Sequence, residues 1–310
     1  MIPTRWTTFA AALVCALLFC NMPASGAAGQ SGFSLLKLGV SGEGVALADA
    51  MSTAGGAAAG IYNPSGLARP LAGGKSAQII FTHREWVQDT RTEFLGASVH
   101  LDDENALGVS LQSSTIGEIQ IRTRPGPPEG TFTARTFALG ISYARALATD
   151  LRVGATLRML YQKILVDDAT GLGVDLGAQY DTGLDGLSLG AALANIGSGG
   201  TMREEKTTLP TLARLGGAYR FSLTDVSSEV ALAGDLVSVF PDKQSFFDVG
   251  GEIRFQDLVA VRGGYQFGSE GRGFSAGLGV SYGIVTLDYA YAPLSSDLGN
   301  THTISLLIGM

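Results

Sequence analysis

Beyond residue 28 the chain has no cysteine, because its only two, Cys15 and Cys20, lie near the N-terminus. A disulfide, a thiolate metal site and a cysteine nucleophile are therefore excluded from the remainder. Histidine is almost as scarce: His83, His100 and His302 stand isolated and share no ligand spacing, so no metal site is expected. Charge is thin, at 16% of residues, and the formal net charge of −7 exerts no general pull on nucleic acid. Long apolar runs are missing too. After the first 28 residues no stretch offers 18 consecutive apolar residues, which removes any membrane-spanning helix from that part. The acidic run Asp102, Asp103, Glu104, Asn105 lacks the spacing and the distal Glu of a calcium loop, and reads as a hairpin turn. Gly171 and Gly173 precede no helix, so they do not form a phosphate cradle. No Ser/His/Asp set or carboxylate pair can be brought together. The chain is read as a non-enzyme with no cofactor.

What the chain has instead is glycine, 43 of 310 residues, and alternation. From Phe247 to Phe267 the odd positions carry Phe247, Val249, Ile253, Phe255, Val259, Val261, Tyr265 and Phe267. The even ones carry Asp248, Glu252, Arg254, Arg262 and Gln266. That is two strands of period two with one apolar and one polar face, joined by Gln256, Asp257 and Leu258. The same pattern predicts strands at about 76–86, 91–101, 105–122, 132–146, 150–163, 171–181 and 186–196, then 210–222, 227–239, 245–255, 258–267, 272–282, 284–293 and 301–310. Fourteen strands of this length, apolar on one face and polar on the other, describe a transmembrane antiparallel β-barrel. Asp175, Asp235, Asp248, Glu252 and Asp288 fall on the polar face. Arg152, Arg158, Arg214, Arg220, Arg254 and Arg262 share it and are expected to pair with them across strands.

The connections sort by parity. Phe255 to Leu258 and Tyr282 to Ile284 are tight. Arg122 to Phe132, Ile196 to Pro210, Val239 to Ser245, Phe267 to Arg272 and Pro293 to Thr301 are longer; the hairpin from Trp86 to Arg91 is a short exception. Short inner turns and longer outer loops are the habit of outer-membrane barrels. The last strand, with Ile304, Leu306, Ile308 and Met310 in alternation, runs to the final residue. A leader fits the same compartment: Arg5, an apolar run from Phe9 to Phe19, and small residues from Ala24 to Ala28 read as a signal peptide over 1–28. The expected division is then 1–28 leader, 29–75 N-terminal segment and 76–310 barrel.

The N-terminal segment departs from period two. Val45, Ala46, Leu47, Ala48 and Met51 are spaced for a short helix, an Ala/Gly tract runs from Ala54 to Gly60, and Asn63-Pro64-Ser65-Gly66 is a turn by its chemistry. Its content of Leu, Val and Ala is too high for a solvated linker, so a small packed element is expected.

Four stretches together carry a resemblance: Phe33-Ser-Leu-Leu-Lys-Leu-Gly-Val40, Val45 to Met51, Ile61-Tyr-Asn-Pro-Ser-Gly-Leu-Ala68, and Asp297-Leu-Gly-Asn-Thr-His302 before the last strand. They resemble the PorV/PorQ group, which is itself similar to the FadL long-chain fatty acid transporters of outer membranes. The resemblance implies a fourteen-stranded barrel with the N-terminal segment folded inside as a plug. It also implies residence in the outer membrane and passage of a hydrophobic small molecule, such as a fatty acid, toward a sideways gap in the wall. The ligand and plug residues it points to are Phe33, Leu35, Leu36, Leu38, Ile61, Tyr62, Asn63, Pro64 and Gly66. The other function it implies is a subunit or cargo anchor of a type IX-like secretion system, acting through protein partners at the long outer loops. The chain departs from the group where Glu43, Gly44 and Val45 replace a common arginine and Met-Gly. On the third strand Ser113, Thr115 and Gly117 interrupt the apolar face between Leu111 and Ile119. Polar groups facing hydrocarbon are costly unless partnered, which makes these three a candidate lateral opening; the alternative is an extension of the strand above the bilayer.

Overall fold

The computed structural model of the protein describes residues 31–310 apart from 88, 204 and 296–298. The expected leader, and Asp297 and Leu298 of the closing motif, lie outside the described residues. Fourteen strands close into one antiparallel barrel. They are β1 (Ala77–Glu85), β2 (Thr90–His100), β3 (Asn105–Ile121), β4 (Gly130–Ala146), β5 (Leu151–Ile164), β6 (Asp167–Asp181) and β7 (Leu187–Ser198), then β8 (Leu212–Leu223), β9 (Ser228–Val239), β10 (Gln244–Phe255), β11 (Val259–Phe267), β12 (Phe274–Tyr282), β13 (Val285–Pro293) and β14 (Asn300–Gly309). Each pairs with its neighbours in sequence, and β1 meets β14 from Gln78↔Gly309 to Glu85↔His302. Closure leaves no strand edge unpaired, which a sheet in hydrocarbon requires because no water is there to satisfy its N–H and C=O groups.

The alternation sets the two faces. On β4 the outward side chains are Arg135, Phe137, Leu139, Ile141, Tyr143 and Arg145, an exposed apolar band with an arginine at either end. On β5 the inward ones, Arg152, Thr156 and Arg158, are buried while Leu157 and Met159 are exposed. Aromatic rings collect at the band's two rims: Phe247, Tyr265, Phe267 and Phe274 toward one end, Tyr219, Phe221, Phe255 and Tyr282 toward the other. An apolar belt between aromatic girdles is the arrangement that matches a bilayer. The barrel's chain termini lie at the same end, the inner end, where Met310 N donates to Ala77 O at 2.8 Å.

Two strands depart from regular pairing. On β3 the register shifts between Ile116 and Ile119, so that Gly117 and Glu118 stand opposite Thr133 alone, with Glu118 at φ 51°. One extra residue moves every later side chain to the other face. Ile119 and Ile121 therefore fall on the inward parity, a correction to the single register expected from alternation. Below the bulge the wall is closed: Ser113 pairs with Glu93 and Phe137, and Thr115 with Arg91 and Arg135. Ser113 Oγ donates to Glu93 Oε2 at 2.7 Å, so this polar outward residue has a partner. The second bulge is on β7, where Ala194 and Asn195 stand opposite Asp175 alone. β6 also begins at Asp167, four residues before the alternation suggests, because Asp167 to Gly171 continue the ladder with β5.

Residues 31–75 fill the lumen. The expected helix over 45–51 is shorter and earlier: α1 spans Gly42–Ala46. Ser41 caps it, its Oγ accepting from Gly44 N at 3.0 Å, and Ala48 and Asp49 turn left-handed (φ 55° and 66°) and stop it. A second turn, α2 (Ala59–Tyr62), leads to Asn63 and the 3₁₀ turn Pro64–Ala68. Asn63 is fully buried. Its Nδ2 donates to Ser52 O (2.7 Å) and Ala178 O (3.1 Å), and its Oδ1 accepts from Ser65 Oγ (2.7 Å). The wall opposite is Gly177, where any Cβ would collide with Asn63 Oδ1. Glycine is required there by the plug, not by the strand. Gly177→Val should leave the far-ultraviolet β signal unchanged while raising hydrogen exchange across residues 52–66; unchanged exchange would show that the turn does not depend on that window.

Candidate functional site

The plug divides the lumen into two spaces. Toward the loop end lies a cavity of about 190 Å³, lined on the plug by Leu36, Leu38, Ile61 and Tyr62 and on the wall by Ala194, Leu212, Val237, Val239 and Phe246. Toward the inner end lies a vestibule of about 270 Å³ between Leu47 to Gly55 and strands β8 to β10. The segment from Leu47 to Ser52 separates them, packed against a glycine-floored wall at Gly250 and Gly264.

This segment is held by charge. Asp49 accepts from Arg272 Nη1 at 2.6 Å and from the Tyr62 hydroxyl at 2.9 Å, and that hydroxyl accepts from Val40 N at 2.9 Å. Ser52 donates to both oxygens of Asp235, from N at 2.8 Å and from Oγ at 2.5 Å. Arg214 ties the two groups together, donating to Asp235 Oδ2 at 2.9 Å and to the Asp49 carbonyl at 2.5 Å, with its guanidinium 5.6 Å from the Tyr62 ring. Burial pushes the Asp49 carboxyl up, but the Arg272 and Arg84 guanidiniums outweigh it and hold it below the usual range. At the loop end Asp242 fixes the start of the plug, accepting from Ser31 N and Oγ at 2.9 Å each and from Lys37 Nζ at 2.8 Å.

Every cation that lines the outer cavity thus has a carboxylate. Lys37 pairs with Asp242, Arg158 with Asp175, Arg214 with Asp235 and Arg272 with Asp49. The wall is polar in places yet neutral in sum at these pairs. Two donors stay free: the buried Nε groups of Arg158 and Arg214 have no hydrogen-bond partner among the described residues. On the far side of the wall, next to the β7 bulge, a lipid-facing groove of about 460 Å³ is lined by Ala178, Ala191, Leu193, Ala213, Leu215 and Leu236. Arg214 borders both spaces. At the bulge Asn195 N donates to the Asp175 side chain at 2.6 Å, so a carboxylate stands in for a ladder carbonyl.

The residues singled out from the sequence divide into four groups. Leu36, Leu38, Ile61 and Tyr62 line the outer cavity. Phe33 packs with Leu36, Leu160 and Leu209 in a buried cluster, and Leu35 lines a small void beside Arg84 and Gln112. Asn63, Pro64 and Gly66 bind the plug to the wall rather than facing a cavity. Ser113, Thr115 and Gly117 lie on β3, away from the outer cavity. The expected pairing across strands is present for Arg158, Arg214 and Arg262; Arg152 also pairs across strands, but with Asp181, and Arg254 pairs with Glu252 two residues along its own strand. Arg220 has no ion pair among the described residues. Sequence reasoning missed Asp49, Ser52, Arg272 and Asp242. Asp49 and Ser52 lie inside a tract that reads as small and apolar, and Arg272 and Asp242 lie in loops.

Removing one partner of a buried ion pair leaves a bare charge, at a cost of about 3–5 kcal/mol. Asp235→Ala is accordingly expected to lower stability by that order in urea unfolding in micelles; a change within experimental error would deny Arg214 its anchoring role. Acid should act at the plug's first residues. The Asp242 carboxyl is pushed up by burial but held lower than usual by its bonds from Lys37 and Ser31. Its contribution is therefore complete above the ordinary aspartate pKa and is lost as pH falls through the depressed folded value. Hydrogen exchange of residues 31–40, corrected for intrinsic rates, should rise in that window and not at neutral pH, and Asp242→Asn should abolish the transition.

No protein-family model matches the chain, and no curated protein sequence matches it. Among solved structures it is similar to the Pseudomonas putida toluene transporter TodX, at 13% identity over 87% of this chain and 97% of that one, with a TM-score of 0.60. It is also similar to a Pseudomonas aeruginosa FadL homologue, at 12% identity over 86% of this chain and 97% of that one, with a TM-score of 0.53. At these identities the likeness is one of fold: a closed fourteen-stranded antiparallel barrel with a small N-terminal segment in its lumen.

Proposed function

We propose that the protein is an outer-membrane channel that admits a small, largely apolar molecule at the loop end and releases it sideways into the bilayer. The observation that carries this reading is that the outer cavity and the lipid-facing groove lie on opposite sides of the wall near the β7 bulge, with Arg214 bordering both. A cavity of about 190 Å³ suits a molecule of roughly one ring or a short length of chain, since a space of about 150 Å³ lined by aliphatic groups accepts benzene. The paired cations favour a neutral ligand, because an anion would have to displace a carboxylate already in place. That TodX is a toluene transporter supports the same class. The Phe33–Val40 and Ile61–Ala68 motifs favour the PorV/PorQ branch for this chain, and 1–28 is its proposed leader.

The route predicts where a bulky side chain stops transport. In proteoliposomes, uptake of radiolabelled toluene should exceed that of empty vesicles, and Ala213→Trp, which fills the groove from the lipid side, should reduce it severalfold without altering the fold. Wild-type uptake no faster than bare vesicles, together with co-purification of secretion components, would replace the channel with the protein-partner role.

A further inference from the structure

The lipid-facing wall carries a second feature, on strands the proposed route does not use. At the loop-end rim of the apolar band Arg91 on β2, Arg135 on β4 and Lys163 on β5 all point outward and are exposed. The ladder places them at one height: Arg91 pairs with Thr115, Thr115 with Arg135, and Arg135 with Lys163. Arg135 and Lys163 are thus direct cross-strand neighbours, with Cα atoms about 5 Å apart by sheet geometry. Like charges placed so repel each other, and their position beside hydrocarbon makes the arrangement costlier. None of the three side chains has a carboxylate within 4.0 Å among the described residues. The acids on this face are accounted for: Glu93 accepts from Ser113 Oγ (2.7 Å) and lies 3.6 Å from His83, Glu85 lies 3.8 Å from His83, and Asp168 opposite Lys163 and Glu85 opposite Arg91 stand beyond ion-pair distance of those cations.

Immediately below the Arg135 and Lys163 pair the wall is recessed. A lipid-facing groove of about 660 Å³ runs between Phe137, Leu139, Met159, Tyr161 and Leu172, floored near Thr170 and Gly171, where the outward side chain is short. Arg135 lies one outward step above Phe137, and Lys163 one step above Tyr161. Arg135 and Lys163, neither of them in an ion pair, stand directly over an apolar trough and are together complementary to one kind of molecule, an anionic head joined to an acyl chain.

We propose that Arg135, Lys163 and Arg91 form a binding site for a phosphate-bearing acylated lipid of the leaflet that meets the loop end. The phosphate oxygens bridge Arg135 and Lys163, with the planar guanidinium able to offer two parallel N–H donors. Arg91 takes a second phosphate or the far side of the first, and an acyl chain lies in the groove between Phe137 and Tyr161. The site is separate from the lumen, and its occupant is a structural lipid rather than cargo.

The test uses the full chain purified in neutral detergent and titrated with diphosphorylated lipid A, with bound lipid read by native mass spectrometry. Wild type should retain the lipid. The double variant Arg135→Gln, Lys163→Gln should lose roughly tenfold or more in apparent affinity, as removal of charge-assisted phosphate bonds implies. The same protein should keep its heat-modifiable mobility on electrophoresis, which separates lost binding from lost folding. Lys243→Gln, an exposed cation in the loop before β10, is the control expected to bind as wild type. Fully dephosphorylated lipid A should bind wild type as weakly as the intact lipid binds the double variant, and excess inorganic phosphate should fail to displace the intact lipid. Equal retention by wild type and double variant would overturn the site. Equal binding of the dephosphorylated lipid would reduce it to an apolar groove, and complete displacement by phosphate would make it a plain anion site; either result refutes the lipid assignment.

Discussion

A strand in hydrocarbon must satisfy its backbone on both edges, and the rest of this structure depends on that constraint. Closure of β1 onto β14 meets it, and closure in turn creates an enclosed face that fourteen strands have lined with acids, arginines and hydroxyls. Those groups cannot be left bare in a narrow lumen, because a buried charge without a partner costs several kcal/mol. The plug solves the problem the barrel poses. Ser52 satisfies Asp235, Asp49 satisfies Arg272, and Gly42 N donates to Ser305 Oγ at 2.7 Å.

The plug is correspondingly built from pieces too short to be stable alone. Two helical turns of five and four residues, and 3₁₀ turns between and around them, are far below the length at which a helix persists in water. Their stability is tertiary. Buried Phe33, Val45, Tyr62 and Leu67 supply apolar contact, and glycines such as Gly177 and Gly264 in the wall let backbone approach backbone. The left-handed pair Ala48 and Asp49, unfavourable by steric rules, lies where the ion pairs converge and where the two lumenal spaces are kept apart.

The ladder of the wall is irregular at two places. At β7 the extra residue turns Asn195 out of the ladder and substitutes the Asp175 carboxylate for a backbone acceptor. At β3 the extra residue sits above the end of β2 and leaves the membrane portion of the ladder intact. A bulge is therefore not in itself an opening. What distinguishes the β7 site is space on both sides of it, a cavity within and a groove without.

The fold was legible because its signal is local. Period-two alternation between Leu151 and Tyr161, or between Phe247 and Phe267, separates an apolar from a polar face without reference to any partner strand, and the loop parity, the leader and the last strand assign the apolar face to hydrocarbon. Counting such segments yields the strand number, and the Asn63-Pro64 turn marks where the plug changes direction. The site was not legible to the same degree. Leu36, Leu38, Ile61 and Tyr62 were found as apolar plug residues, but the contacts that decide the cavity join positions such as Asp49 with Arg272 and Ser52 with Asp235, far apart in the chain and ordinary in their surroundings. The bulges escaped for a related reason. Alternation of side chains is carried by each strand alone, whereas an extra residue is visible only against the strand it pairs with. The sequence by itself determined the faces, the strand count and the polarity of the lumen, since these follow from side-chain period and solvation. Only the tertiary structure decided which charges meet, where the wall is interrupted and where space remains, because those depend on register and closure.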